Sequence, residues 1–367
     1  MTTDKIDITH HRLASQQIAP VARNGPGEVV ASLGAMQAQD YLGALWAIGL
    51  RLPKATETDI AQAIADRTVV RTWPMRGTLH FVAAADVHWM LKFLTPRIIA
   101  GAARRRQQLE LDDAIFARCE KVFVRVLQGG NQVARDELLG SLQRARISVT
   151  AQRGYHILWR LAQEGLICFG AHQGRQPTFA LLDEWAPKIR NWERAEALAE
   201  LARRYFTSHG PATVHDFVWW SGLKISEARA AIEMAPAYLT SETIDGKVYW
   251  MSPNRPALRP ASPSVHLLPG FDEYMLGYQD RSAALDPQHA QKIVPGGNGM
   301  FMPTLVINGR VAGTWKRVVK KKMVAITAAP FAPLKKAELR ALAPAAERYG
   351  QFLNLPVELV STSNTQH

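Results

Sequence analysis

Gln37 and Gln39 stand two positions apart in the stretch Met36-Gln37-Ala38-Gln39-Asp40-Tyr41, directly ahead of an apolar run over residues 42–50. On a regular helix, side chains two positions apart diverge by roughly 200°, whereas in an extended or turn segment they share a face. The two amides therefore aim at one point only if the helix beginning near Gly27 or Glu28 has ended by about Met36. Two convergent amides suit the holding of a water molecule, whose hydrogen bonds they can accept and orient. Neither is basic enough to take a proton outright, so a nearby carboxylate would assist, and Asp40 is the nearest in sequence. Plainer readings stand beside these: the amides as surface residues near a helix end, and Asp40 as a helix cap or surface carboxylate.

Other chemistries lack their residues. There is no Cys/His set with deaminase or zinc-finger spacing, no phosphate-binding Gly-Lys-Ser loop and no Gly-x-Ser-x-Gly elbow. Cys119 and Cys168 are the only cysteines, too few for a disulfide framework or a cysteine-rich zinc site, and small core residues is the simplest reading of both. A net charge of +12 and a pI near 9.8 favour a polyanionic partner, because neutralising phosphates releases counterions. Membrane surfaces are the competing polyanion, but no apolar run approaches the ~20 residues that span a bilayer. Residues 1–7 are polar and mixed in charge, unlike a signal peptide, so a cytoplasmic location is the expectation. With 367 residues, the chain should fold as two or three compact domains with ample core.

The elements that must position the pair recur as a unit of helices followed by a β-hairpin. In the first, a helix over 58–65 precedes an alternating run over 69–82, with Pro74 and Gly77 marking the turn. In the second, apolar residues at helical spacing over 134–144 and 154–164 lead into strands over 166–169 and 177–182, with a tip at Gly174-Arg175. The third runs from helices over 193–206, 214–220 and 226–234, with Ser226 as N-cap, to a hairpin over 238–251 folded at Asp245-Gly246. Three such units imply three winged helices. Residues 253–269, rich in proline, read as an extended linker or strapped connection. Beyond it, strands over 304–307, 310–315 and 323–328, the first two joined by Asn308-Gly309, precede a closing helix over 335–348 and a frayed tail from Ser361.

Four stretches carry a resemblance to a known family: the Gln-x-Gln pair, Arg71 to His80, Leu267 to Tyr274, and Asn308 to Lys316. In this order the chain resembles the AlkZ-like family of tandem winged-helix DNA glycosylases, whose signature is a Gln-x-Gln or Gln-x-Asp pair. The resemblance implies an α+β fold: three tandem winged-helix units in a C-shaped array (residues 1–110, 111–190 and 191–255) and a small β-rich C-terminal domain (256–367). It implies that Gln37 and Gln39 position the water, facing a basic channel. The activity implied is monofunctional hydrolysis of the N-glycosidic bond of N7- or N3-alkylated purines, bulky adducts and interstrand crosslinks included. Such a purine already carries positive charge and leaves easily, so no strong base is needed. An open channel suits a crosslinked base that cannot be flipped into a tight pocket. No metal or organic cofactor is expected; the expected partner is double-stranded DNA, bound by a monomer.

For contact with DNA, Trp73, Arg76 and His80 on the first hairpin could flank the channel, or Trp73 could pack that hairpin on its own domain. Arg104, Arg105 and Arg106 form one basic cluster, Arg153 and Arg175 belong to a second, and Lys316, Arg317 and Lys320 to a third. Each reads as phosphate contact or as a solvated face. Trp219-Trp220 could stack on bases but fit a core pattern. Residues 295–301, rich in Gly, could insert an apolar wedge into a groove or be disordered without function. The competing reading of the whole chain is a tandem winged-helix DNA-binding regulator or architectural protein, in which Gln37 and Gln39 would be structural.

Overall fold

A computed structural model describes residues 6–18, 25–174, 176–254 and 263–360. The chain divides into two compact units, one formed by Met1–Ile60 with Leu198–His367, the other by Ala61–Ala197. Helices and antiparallel hairpins alternate in both, so the architecture is mixed α+β.

In the first unit the helix Pro26–Leu33 ends at Gly34, whose φ of 80° is open to glycine at little cost. A two-residue strand, Met36–Gln37, follows, and then the helix Tyr41–Leu50. Helices Arg194–His209, Val214–Ser221 and Ile225–Glu233 lead to the hairpin Thr240–Ile244/Lys247–Met251. Asp245 and Gly246, with φ of 48° and 78°, close it in the mirror-image turn that matches strand twist. The N-cap of Ile225–Glu233 is Lys224 rather than Ser226, with the Lys224 N–H donating to Glu227.

A five-stranded sheet completes this unit, in the order Val357–Val360, Val324–Pro330, Arg310–Val319, Thr304–Ile307, Val265–Leu268. The closing helix, Lys336–Leu353, is the crossover that makes Val357–Val360 parallel to Val324–Pro330; the other pairings are antiparallel. Asn308-Gly309 turns as expected. The proline-rich stretch is not wholly a connection, since its end forms the sheet strand Val265–Leu268. Residues 255–262 and the tail from Ser361 lie outside the described residues. The core here gathers Leu13, Ile18, Leu268, Tyr274, Met275 and Val306 among others.

In the second unit the strands Val69–Met75 and Thr78–Ala83 turn at Arg76-Gly77, and Pro74 sits inside a strand rather than at the turn. Helices Asp113–Leu127, Arg135–Arg144 and Arg153–Gln163 precede the strands Ile167–Phe169 and Thr178–Leu181. Val133–Ala134 adds an edge to Thr178–Leu181, and Arg71 pairs with Phe169, so both hairpins of this unit share one sheet. The amphipathic helix Arg153–Gln163 buries Ile157, Leu158 and Leu161 against Phe123, Leu138 and Phe179. Cys119 and Cys168 are both fully buried.

Candidate active site

The helix before the amide pair ends at Leu33, early enough for the pair to fall in extended chain. Gly34 is required for close approach as well as for its φ: a Cβ there would lie 3.3 Å from the Trp220 ring. Met36 and Ala38 turn inward and are at most 1% exposed. Gln37 and Gln39 share the other face, where Gln37 is 7% exposed and Gln39 stands in solvent. Their side chains meet, Gln37 Nε2 donating to Gln39 Oε1 at 2.5 Å. Whichever way the two amides are assigned, one such bond leaves one carbonyl oxygen and one amino group for a third party. A water between them can give a proton to the carbonyl, accept from the amino group, and keep a lone pair for attack.

Asp40 takes the capping role. It is the N-cap of Tyr41–Leu50, and its carboxylate accepts from the Gly43 N–H at 3.2 Å while remaining exposed. It is therefore held at the start of that helix, three positions before Gly43, the first buried residue there.

Beneath the pair lies a set of buried polar groups that sequence reading did not assign. The Gln37 N–H donates to Glu273 Oε1 at 3.1 Å. Glu273 Oε2 accepts from Trp220 Nε1 at 2.9 Å and faces His209 Nε2 at 3.3 Å. The neighbouring Asp272 takes a bidentate grip from Arg51, at 2.8 and 3.0 Å, and caps the short helix Glu273–Leu276 through the Tyr274 N–H. Gln16 ties these together, donating to the Glu273 carbonyl and the Tyr278 hydroxyl while accepting from Arg51. The available signals were two adjacent carboxylates in the apolar run Leu267 to Leu276 and an arginine closing the apolar helix at 41–50.

The expected DNA-contacting residues separate by burial. Trp73 and His80 do not stand on the surface. Trp73, 4% exposed, packs in the core of its unit with its ring 5.2 Å from that of Phe169. His80 is fully buried, its Nδ1 on the Thr78 carbonyl and its Nε2 3.1 Å from Arg76. Every residue of Val69–Met75 is buried, which accords with the reading in which Trp73 packs its hairpin on its own unit. Arg76 is half-buried. Arg153 also has a structural task, its guanidinium donating to the carbonyls of Ser148, Leu109 and Glu110. Arg104 and Arg105 are exposed, Arg105 bridging to Gln152, while Arg106 is half-buried 3.7 Å from Asp113. Arg175 lies outside the described residues. In the first unit Lys316 and Lys320 are exposed and Arg317 lies over the Tyr349 ring. Trp220 is core and Trp219 is partly exposed. Residues 295–301 form a short 3-10 turn and an exposed loop whose Phe301 is tucked into the core, leaving Met300 outside.

A cleft of about 770 Å³ in the second unit is lined by His88, Trp89, Lys92, Arg160, Gln163 and Trp192 among others, and by none of the expected site residues. Among the described residues no group of three or more His, Cys, Asp or Glu could hold a metal ion. No helix among them is long and apolar enough to cross a membrane.

The chain is 26% identical to the interstrand DNA cross-link repair glycosylase of Streptomyces sahachiroi, over 95% of this chain and 97% of that protein. The solved structure of the Streptomyces sahachiroi DNA glycosylase AlkZ superposes with a TM-score of 0.79 at 23% identity, covering 96% of this chain and 98% of that one, and so shares its fold. A family model described as DNA glycosylase AlkZ-like matches residues 30–352, from the helix before the amide pair through the closing helix, and the chain belongs to this family of DNA glycosylases.

Proposed function

We propose that this enzyme hydrolyses the N-glycosidic bond of N7- or N3-alkylated purines in duplex DNA, including bulky adducts and interstrand crosslinks, with a water held by Gln37 and Gln39. The observation that carries the reading is the amide pair itself, joined at 2.5 Å between a buried Gln37 and a solvent-exposed Gln39. As the bond from C1′ to the cationic purine breaks, its electrons neutralise the base and positive charge passes to the sugar. The held water then adds its oxygen to C1′ and loses a proton. With so good a leaving group, orientation supplies most of what catalysis needs, and amides suffice. Asp40, the N-cap of Tyr41–Leu50, is the carboxylate nearest in sequence to receive that proton.

Three winged helices, at residues 1–110, 111–190 and 191–255, followed by a β-rich domain at 256–367, are the arrangement in which we read the helix-and-hairpin units. Arg104, Arg105, Lys316 and Lys320, exposed and cationic, are the side chains best suited to phosphate contact. The protein acts in this reading as a cytoplasmic monomer, without metal or organic cofactor.

The test is base release from a duplex oligonucleotide carrying N7-alkylguanine, with unhooking of a nitrogen-mustard crosslink, by the wild type, Gln37→Ala and Gln39→Ala. Losses on the order of 10²-fold or more with duplex binding retained are expected. Wild-type protein that binds duplex but releases no base from either substrate would overturn the reading in favour of a DNA-binding regulator.

A further inference from the structure

We infer that Glu273 is a positioning residue for the amide pair: it fixes the main chain of Gln37 so that the two side chains converge. The inference rests on the water-holding role proposed for Gln37 and Gln39. Residue 37 belongs to a two-residue strand between two helices, where no helical ladder is available to its N–H. A buried amide without an acceptor would let the segment twist to find one. Glu273, 1% exposed and 236 positions away in sequence, supplies the acceptor at 3.1 Å.

A carboxylate does this better than a neutral group, because a charge-assisted hydrogen bond is shorter and stronger. Its own position is over-determined. Oε2 is held by Trp220 Nε1 at 2.9 Å, and its main chain by Gln16 and by the neighbouring Asp272–Arg51 pair. His209 completes the arrangement. Its Nδ1 lies 2.8 Å from Ser208 Oγ, which is also 2.7 Å from the Arg204 carbonyl. If the serine proton goes to Nδ1, neutral His209 carries its proton on Nε2, toward Glu273. Trp220 Nε1 and His209 Nε2 thus both face one carboxylate oxygen, while the other accepts from the Gln37 N–H. Stacking of His209 on Tyr205, with rings 4.7 Å apart and 13° from parallel, keeps the imidazole from rotating away.

The consequence is geometric. Displacing a held reactant by about 1 Å can cost on the order of 10²-fold in rate. The experiment is single-turnover base release from an N7-alkylguanine duplex by the wild type, Glu273→Gln, Glu273→Leu, Gln37→Ala, and each Glu273 variant combined with Gln37→Ala. Duplex affinity and the thermal unfolding midpoint are measured alongside. Glu273→Gln, which keeps an acceptor for Gln37 but turns an amino group on Trp220, should lose roughly tenfold, and Glu273→Leu about 10²-fold, with duplex affinity within about threefold of wild type. In the Gln37→Ala background neither change should slow the reaction much further, because the side chain being positioned is gone. A purely structural role would instead lower rates equally in both backgrounds. Full additivity, or wild-type rates in both Glu273 variants while Gln37→Ala is slow, overturns the inference. Wild-type rates in Gln37→Ala itself sink the water-holding reading instead. Should Glu273→Leu not fold, Glu273→Gln carries the same comparison.

Discussion

In the unit formed by residues 1–60 and 198–367, ionisable side chains turn inward in pairs. Arg51 and Asp272 have side chains 0% and 1% exposed, His209 and Glu273 likewise, and Arg12 lies 3.9 Å from Asp216 with neither more than 2% exposed. In the unit of residues 61–197, ion pairs such as Arg106–Asp113 and His88–Asp183 leave the carboxylate 87% and 85% exposed, and the interior is held by Trp73, Phe123, Phe169 and Phe179. Desolvated pairs add little net stability over apolar packing, yet losing one partner strands a buried charge. Their concentration under Gln37 marks the region where geometry is held most tightly. The other unit is built to pack and to present cations to solvent.

The contrast breaks most easily at Asp272. Asp272→Ala, stranding Arg51, should cost ~3–5 kcal/mol in urea or thermal unfolding, against ~0–1 kcal/mol for Asp113→Ala. Equal losses would dissolve the distinction.

A second test uses pH. Burial drives the His266 imidazole down from 6.5 to about 4, and its Nε2 is buried without a hydrogen-bond partner among the described residues. A histidine held neutral in the fold contributes stability above its unfolded value, and that contribution is lost as pH falls from about 6.5 toward 4. At ~1.4 kcal/mol per pH unit the loss approaches ~3 kcal/mol. His266→Phe should flatten the unfolding free energy across that window, and an unchanged slope would count against the burial argument.

Trp73→Phe sharpens the comparison from the other side. It should destabilise by about 1–2 kcal/mol, as a core change does, and leave duplex affinity unaltered. A tenfold drop in affinity would return Trp73 to the DNA-binding face. The smallest effect belongs to Arg104→Ala with Arg105→Ala. Stability should stay within about 0.5 kcal/mol, while the slope of log affinity against log salt falls by ~0.9 for each phosphate contact removed.

Much of the secondary structure was legible because its causes are local. Periodic leucines mark the helices at 135–144 and 153–163, and Asp245-Gly246 and Asn308-Gly309 mark two hairpins. The amide pair was legible too, because convergence at that spacing demands extended chain. Some elements went unassigned, such as Asp113–Leu127, whose apolar stripe of Phe116, Cys119, Phe123 and Leu127 is interrupted by four charged residues. For Trp73 and His80 the sequence left channel-flanking and packing both open, because burial is settled by what the hairpin packs against, and both side chains are buried. Glu273, His209 and Trp220 were invisible as a group because Gln37 lies 236 positions from the carboxylate that holds it, and only the fold brings them together.

The contact from Glu273 falls on the main chain of Gln37, not on its side chain. The frame at position 37 is therefore independent of which side chain projects there, like a fixed mount for an exchangeable fitting. Replacing Gln39 by aspartate would set a proton acceptor where a neutral amide now stands, and leave the Glu273 contact on the Gln37 main chain in place. One scaffold could in this way be tuned from purines that leave readily to purines that leave reluctantly by altering a single side chain.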